Sequence, residues 1–357
     1  MKIIQLLPSM AFGDAVSNDA AAIRQMLLDG GYDTELYARH IDMRLPAGMV
    51  RHVDDMRLLA DGDMLLYHGS TGDPMNVRIP LLNGIKILRY HNITPPGFFE
   101  EYSRRSKALT ENGYQEIRSV AGDFSYCLAV SDYNRQDLRR LHFTCPIDVC
   151  PIVIPFSDYD REPDNEVLEK YSGDGWTNLL FVGRISPNKK QENVIRAFEH
   201  YHRQYNPKSR LFLVGSAVGM ETYLVRLRKY VRALGLEDCV VFTGQISFRA
   251  ILAYYRLADV FVCMSEHEGF CVPVVEAMYF GKPIVALRAA AVSETLGKGG
   301  LLLDSSEPET AASAIHRILT DEPLRGALRA GQEERLRDFS YEKVKERIMG
   351  YLKPYLG

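Results

Sequence analysis

Short apolar runs rich in Ile, Leu, Val and Phe alternate with longer segments of helical period along almost the whole chain. In the first half KIIQLLP, TELYAR, DMLLYHG, KILRYHNI and FSYCLAVS read as strands, with helices over Ser17–Asp29 and within Gly97–Val120. The second half restarts the pattern with NLLFVGR, a helix from Gln191, RLFLVGS, a helix over Glu221–Leu234 and CVVFTGQ. A helix over Phe248–Leu257, the strand VFVCMS, a helix near Val274–Phe280, PIVALR and GLLLD follow. Strands apolar along their whole length, separated by helices, predict parallel sheets covered on both faces. Two such series predict an α/β chain of two doubly wound, Rossmann-like domains.

The segment Phe156–Thr177 is polar and acidic with Pro and Gly, the composition of a linker. It divides an N-terminal domain over 1–160 from a C-terminal domain over 176–338. The remaining 339–357 reads as an amphipathic helix, with Tyr341, Val344, Ile348, Tyr351 and Leu352 near helical spacing. The start reads as a buried strand and not a signal peptide, because its apolar run is short and no small-residue cleavage site follows.

Composition narrows the classes. A chain of 357 residues, 46% hydrophobic and 25% charged, has room for two cores and is not a disordered sequence. No apolar run reaches the ~18–20 residues needed to cross a bilayer. Six cysteines in this length do not make a disulfide scaffold, so a reduced, cytoplasmic setting is expected. The net charge of −3 gives no reason to expect nucleic acid. It is unevenly spread: residues 1–175 carry 18 basic and 26 acidic side chains, and the remainder 25 and 20. A basic second half suits an anionic small ligand, although scattered solvated Arg and Lys give the same count.

Several familiar motifs are absent. No G-x-G-x-x-G follows the first strand of either half, and no Walker loop occurs. His267 has no second His four residues on, as a zincin would require, and Cys145 and Cys150 lack a matching Cys or His pair. Asp61 and Asp63 imitate a metal-binding pair but precede the strand MLLYHG, where a turn is the plainer reading. No metal site is expected.

The densest chemical signal is SEHEGFCVPVVEAMYFGKPIVA, Ser265–Ala286. Glu268 falls just after a strand and Glu276 about one turn into the next helix. Between them Gly269, Phe270 and Cys271 bring backbone N–H groups to a helix N-terminus, a ready anion site. The loop VGRISPNKK places Arg184 and Lys189 after another strand, where two cations can neutralise a diphosphate. In the first half Gly13 lies in the loop after the first strand and allows close backbone approach. His91 ends the strand KILRYHNI, at the edge where ligands of open parallel sheets bind.

Together VGRISPNKK, FTGQIS, the Glu268–Glu276 segment and AAAVSETLGKGGLLL, with GDAVS and YHNITPP earlier, resemble the retaining glycosyltransferases of family 4, of GT-B fold. The resemblance implies a hexosyltransferase that moves a mannose- or glucose-type sugar from a UDP- or GDP-hexose donor. The acceptor would be a hydroxyl of a glycan or lipid-linked molecule, in surface polysaccharide synthesis. It implies that Arg184 and Lys189 hold the diphosphate, that Glu268 bonds sugar hydroxyls and that Glu276 bonds the ribose. Gly269, Phe270 and Cys271 would contact the donor through their backbone, with Gly244, in Thr243–Ile246, bordering the base. Gly13 would approach phosphate or acceptor and His91 the reacting sugar. The site would lie between the domains, need no metal or other cofactor, and act by front-face attack. The last helix would cross back onto the first domain. Many relatives have Gly where this chain has Cys271. Peripheral contact with the inner membrane is expected where the acceptor is lipid-linked. A nucleotide-sugar 2-epimerase and a non-catalytic sugar-nucleotide-binding regulator are the other readings of the same pocket.

Overall fold

The computed structural model describes residues 1–356. In chain order the elements are β1 (Ile3–Met10), α1 (Ala15–Asp29), β2 (Thr34–Ile41), β3 (Arg51–His52), β4 (Met64–Gly69), β5 (Ile85–Tyr90), α2 (Arg104–Ser119), β6 (Tyr126–Ala129), α3 (Asp132–Arg140) and β7 (Ile147–Val149). They continue with α4 (Asn165–Tyr171), β8 (Thr177–Val182), α5 (Gln191–Gln204), β9 (Ser209–Val214), α6 (Glu221–Ala233), β10 (Val240–Gly244), α7 (Phe248–Leu257), β11 (Val260–Cys263) and α8 (Val272–Tyr279). The chain closes with β12 (Ile284–Leu287), α9 (Val292–Leu296), β13 (Leu301–Leu303), α10 (Pro308–Thr320), α11 (Glu322–Asp338) and α12 (Tyr341–Leu352).

The first unit comprises residues 1–97, 105–155 and the chain from Asp338 onward. Its seven-stranded sheet runs β3-β2-β1-β4-β5-β6-β7, every pairing parallel. All six residues of β4 are buried, which explains why its sequence shows no polar alternation. Strand order reverses direction between β1 and β4, so the crevice of this sheet lies at the carboxyl ends of those strands. The helix α12 belongs to this unit. Its Val344, Ile348 and Leu352 are wholly buried against Ile3, Ile23, Leu66 and Val153.

The second unit comprises residues 98–104 and 156–337. Its six-stranded parallel sheet runs β10-β9-β8-β11-β12-β13, with the reversal between β8 and β11. The polar segment expected to be a linker folds here. Asp164 caps α4 by accepting from the Glu166 and Val167 amides, and Tyr171 of that helix packs on Phe212 and Tyr254. The acidic composition that reads as a linker is the solvent side of a short helix whose aromatic side is buried. The second unit begins at Phe156, the first residue of that segment, and the rest of the segment belongs to it.

Two further elements differ from the sequence reading. β5 stops at Tyr90, and His91 and Asn92 leave it as a loop, Asn92 with φ 83°. The first helix starts at Ala15, because Asp14 accepts from the Ser17 amide and acts as its N-cap.

Candidate functional site

In the second unit the loops after β8 and β11 flank the point where strand order reverses, and they carry the charged residues singled out in the sequence. Gly183 follows β8 with φ 149°, and a Cβ there would stand 3.3 Å from Lys189 Cδ, so this glycine leaves room for the lysine stem. Lys189 Nζ reaches Glu268 Oε1 at 2.6 Å. Burial pulls the lysine pKa down, but the adjacent Glu268 carboxylate and its hydrogen bond outweigh that and hold it above the usual lysine range. Arg184 is exposed; its guanidinium lies 3.4 Å from the Val218 carbonyl. The two loops are locked together by Asn188, which the sequence reading passed over. Its Nδ2 donates to the His267 carbonyl at 2.9 Å, and its own carbonyl accepts from the Glu266 amide at 2.9 Å. Ser186 Oγ donates to its Oδ1, so every polar atom of this buried amide side chain has a partner.

Cys271 is the N-cap of α8 and adopts the left-handed conformation, φ 77° and ψ 64°. Only glycine reaches that region without a steric cost, so Cys271 holds a conformation that its Cβ disfavours. The thiol is turned inward, 3.9 Å from Cys263 Sγ. Thr295 of α9 supports this turn from below, its hydroxyl donating to the Phe270 carbonyl at 2.5 Å. The Ala291 amide likewise donates to the Glu268 carbonyl. Gly244, at the carboxyl end of β10, has φ 67° and open space where a Cβ would stand.

Glu276 lies on α8 with both carboxylate oxygens occupied. Tyr159 donates to Oε1 at 3.0 Å and Tyr255 to Oε2 at 2.6 Å. Burial raises the carboxyl pKa, and the two tyrosine bonds oppose that rise. An ionised carboxylate offers about four lone-pair sites, so two remain for a ligand. Tyr159 comes from the segment expected to be a linker, which is why its role was not legible.

In the first unit Gly13 sits at the N-terminus of α1 with φ 74°, and no atom lies within 4 Å of the place a Cβ would take, so its backbone angle, and not crowding, calls for glycine. His91 is buried beside the other residues that converge at the reversal of this sheet. His91 Nε2 lies 3.1 Å from His68 Nδ1 and 3.6 Å from Asp19 Oδ2, and His68 Nε2 lies 2.9 Å from Gln5 Oε1. Gln5 is on β1, His68 on β4 and His91 follows β5, so the three span adjacent strands. Asp19, on α1, is paired with Arg89 through Nε–Oδ2 at 2.9 Å and Nη2–Oδ1 at 3.2 Å, and both side chains are wholly buried. Arg89 also donates to the carbonyls of Cys150 and Pro151, and the Val153 amide donates to Asp19. Burial, then neighbouring charge, pushes both imidazoles well below the usual histidine range, so they are neutral. Asp19, His68 and His91 are also the one group among the described residues with metal-ligand spacing. The Arg89 guanidinium already neutralises Asp19, which disfavours a further cation there. The sequence offered His68 only as the last polar residue of the strand DMLLYHG, the same position that His91 takes in KILRYHNI.

These features define a class before a family: two Rossmann-like domains, the second with cations and carboxylates on the loops at its topological reversal, make up the GT-B fold. Residues 167–335 match the family described as glycosyl transferases group 1. It is 32% identical over 185 residues to a D-inositol 3-phosphate glycosyltransferase of Acidothermus cellulolyticus, covering 50% of this chain and 41% of that protein. It is 28% identical over 289 residues to O-antigen chain mannosyltransferase B of Escherichia coli, covering 80% and 73% respectively. The chain thus aligns with less than half the length of the first relative and nearly three quarters of the second. Among solved structures, sucrose-phosphate synthase of Thermosynechococcus elongatus superposes with a TM-score of 0.77 at 19% identity, covering 100% of this chain and 99% of that one. HepE of Anabaena, in complex with UDP-glucose, gives 0.76 at 18% identity, covering 99% and 100%. At these identities the likeness is one of fold.

Proposed function

We propose that this protein is a retaining hexosyltransferase. It moves a mannose- or glucose-type sugar from a nucleotide diphosphate to a hydroxyl of a glycan or lipid-linked acceptor, in the synthesis of a surface polysaccharide. The observation that carries the reading is the Asn188 brace. It fixes the cation loop Arg184–Lys189 against the carboxylate loop Glu268–Cys271 at the reversal of strand order. The O-antigen mannosyltransferase relative supports the polysaccharide role, and the UDP-glucose held by HepE supports the donor class. No described helix is long and apolar enough to cross a membrane.

In this reading the bond between the anomeric carbon and the diphosphate oxygen breaks while the acceptor oxygen bonds that carbon on the same face. The acceptor proton passes to the departing phosphate. Negative charge growing on the diphosphate is met by Arg184, Lys189 and the N–H groups at the start of α8. Glu268 orients sugar hydroxyls, Glu276 the ribose, and His91 a hydroxyl of the transferred sugar. With the leaving group neutralised by side chains, no divalent cation is required.

The test is an assay of UDP-, GDP- and ADP-sugars with glycan and lipid-linked acceptors, with the product's anomeric configuration read by NMR. Transfer with retention, unchanged in EDTA, is the expected outcome. Inversion, or strict dependence on Mn²⁺ or Mg²⁺, would overturn the mechanism. Interconversion of the donor without an acceptor would mark an epimerase.

A further inference from the structure

Buried polar atoms are almost always paired, so the two exceptions in the first unit's reversal point carry information. Among the described residues His91 Nδ1 and Gln5 Nε2 are buried side-chain nitrogens with no hydrogen-bond partner. They are the two ends of one chain of bonds: Gln5 Oε1, His68 Nε2, His68 Nδ1, His91 Nε2, and then the unpartnered His91 Nδ1.

We propose that Asp19, His68 and Gln5 are positioning residues that fix the tautomer of His91, keeping its proton on Nε2 and presenting Nδ1 as a hydrogen-bond acceptor to a hydroxyl of the bound sugar. The hydroxyl rests on the function proposed above; the tautomer does not.

Two independent constraints give the same direction. From one end, the Asp19 carboxylate lies 3.6 Å from His91 Nε2 and is ion-paired with Arg89. A lone pair on Nε2 would face that anion, whereas an N–H there is attracted to it. The Nε2 proton then points at His68 Nδ1, which must be bare to accept it. From the other end, the amide oxygen of Gln5 accepts from His68 Nε2, which places the only proton of that neutral ring on Nε2 and again leaves Nδ1 bare. A neutral imidazole has one N–H, so with Nε2 of His91 protonated its Nδ1 carries the lone pair. The same arrangement argues against reading Asp19, His68 and His91 as a metal centre, since His91 Nε2 then has a proton where a ligand needs a lone pair.

The tautomers can be read directly by NMR on the full chain labelled with ¹⁵N-histidine, where protonated and bare ring nitrogens resonate far apart. The expected pattern is Nε2 protonated and Nδ1 bare in both His68 and His91. A proton on His91 Nδ1, or bare His91 Nε2, overturns the proposal without touching the assigned function. Substitution adds a second arm. His68→Asn keeps an acceptor oxygen near the place of Nδ1, while His68→Phe keeps a ring and removes the acceptor. His68→Phe should mix the His91 tautomers and lower kcat about tenfold or more, with a lower melting temperature because Gln5 Oε1 and His91 Nε2 lose their partner. His68→Asn should restore the native His91 pattern and most of kcat. Full turnover in His68→Phe, or loss in both variants tracking a fall in melting temperature alone, would show His68 to be structural. A native tautomer pattern in a protein inactive with every sugar nucleotide would reject the function and leave the positioning intact.

Discussion

Lys189 Nζ stands 2.6 Å from Glu268 Oε1, so the cation assigned to the diphosphate and the carboxylate assigned to the sugar are partners before any donor arrives. A diphosphate entering this loop must share the ammonium with Glu268. Removing the carboxylate charge should therefore free Lys189 for the nucleotide. Glu268→Gln is expected to bind free nucleoside diphosphate as tightly as the native protein or more tightly, while losing most turnover. Lys189→Met should weaken the same binding by about 1–3 kcal/mol, the scale of a charge-assisted hydrogen bond. Calorimetric titration decides it: weaker nucleotide binding in Glu268→Gln would contradict the competition.

Glu276 presents a different balance. Its carboxyl pKa is raised by burial despite two tyrosine donors, so the ionised form costs stability at neutral pH. Glu276→Gln keeps one oxygen for a tyrosine hydroxyl, and the other hydroxyl can accept from the new amide. Melting at pH 7.5 should be unchanged or higher, while nucleotide affinity falls by about 1–3 kcal/mol as a ribose acceptor is lost. A variant that melts lower and still binds nucleotide normally would make Glu276 an internal brace for Tyr159 and Tyr255.

The paired histidines set a pH dependence. Both have folded-state pKa values pushed below the ordinary 6.5, burial being the main cause. As pH falls through 6.5 the unfolded chain takes up protons that the folded chain refuses, so stability is lost on acidification. Glu276 acts with the opposite sign, its stabilising share present below the ordinary 4.5 and lost as pH rises through its raised folded value. Between pH 7.5 and 5.5 the histidine contribution should lower the melting temperature, and measuring the same slope in Glu276→Gln separates it from the opposing carboxyl. In His68→Asn that fall should be shallower. A slope that does not change on substitution would place the acid sensitivity elsewhere.

The last helix supplies core to the first sheet. Val344, Ile348 and Leu352 are wholly buried, so Ile348→Ala should cost about 2–5 kcal/mol. Truncation after Asp338 should lower melting and turnover together. A truncated chain with native melting would mean that the residues around Ile3, Ile23 and Leu66 close over the gap unaided.

How much was legible in the sequence depends on whether a residue's work is local. The apolar strands and the loops holding Arg184, Lys189, Glu268 and Cys271 could be read because period and position along one strand–helix unit define them. The left-handed turn at Cys271 could not be read, since a Cys there gives no sign of a positive φ. Tyr159 could not be read, because it meets Glu276 across 117 positions and from an acidic stretch that resembles a linker. Gln5, 63 positions from His68, was hidden for the same reason, its polarity lost inside an apolar strand. Asn188 lay in plain view within VGRISPNKK, but its partners are main-chain groups of another loop, which leave no mark on the sequence.

The first unit is sewn from both ends of the chain, and this orders events during synthesis. Its sheet is translated first, yet the cluster around Ile3, Ile23 and Leu66, which α1 covers in part, is not complete until Val344–Leu352 has left the ribosome. Almost all of the second unit, residues 156–337, is by then available as one continuous stretch. Domains tend to fold as units when their residues are present. The nascent chain can therefore complete the second unit while the earlier one still exposes an apolar strip. That strip is where a chaperone would hold the unfinished protein, and where a ribosome stalled before residue 344 would leave it prone to aggregate.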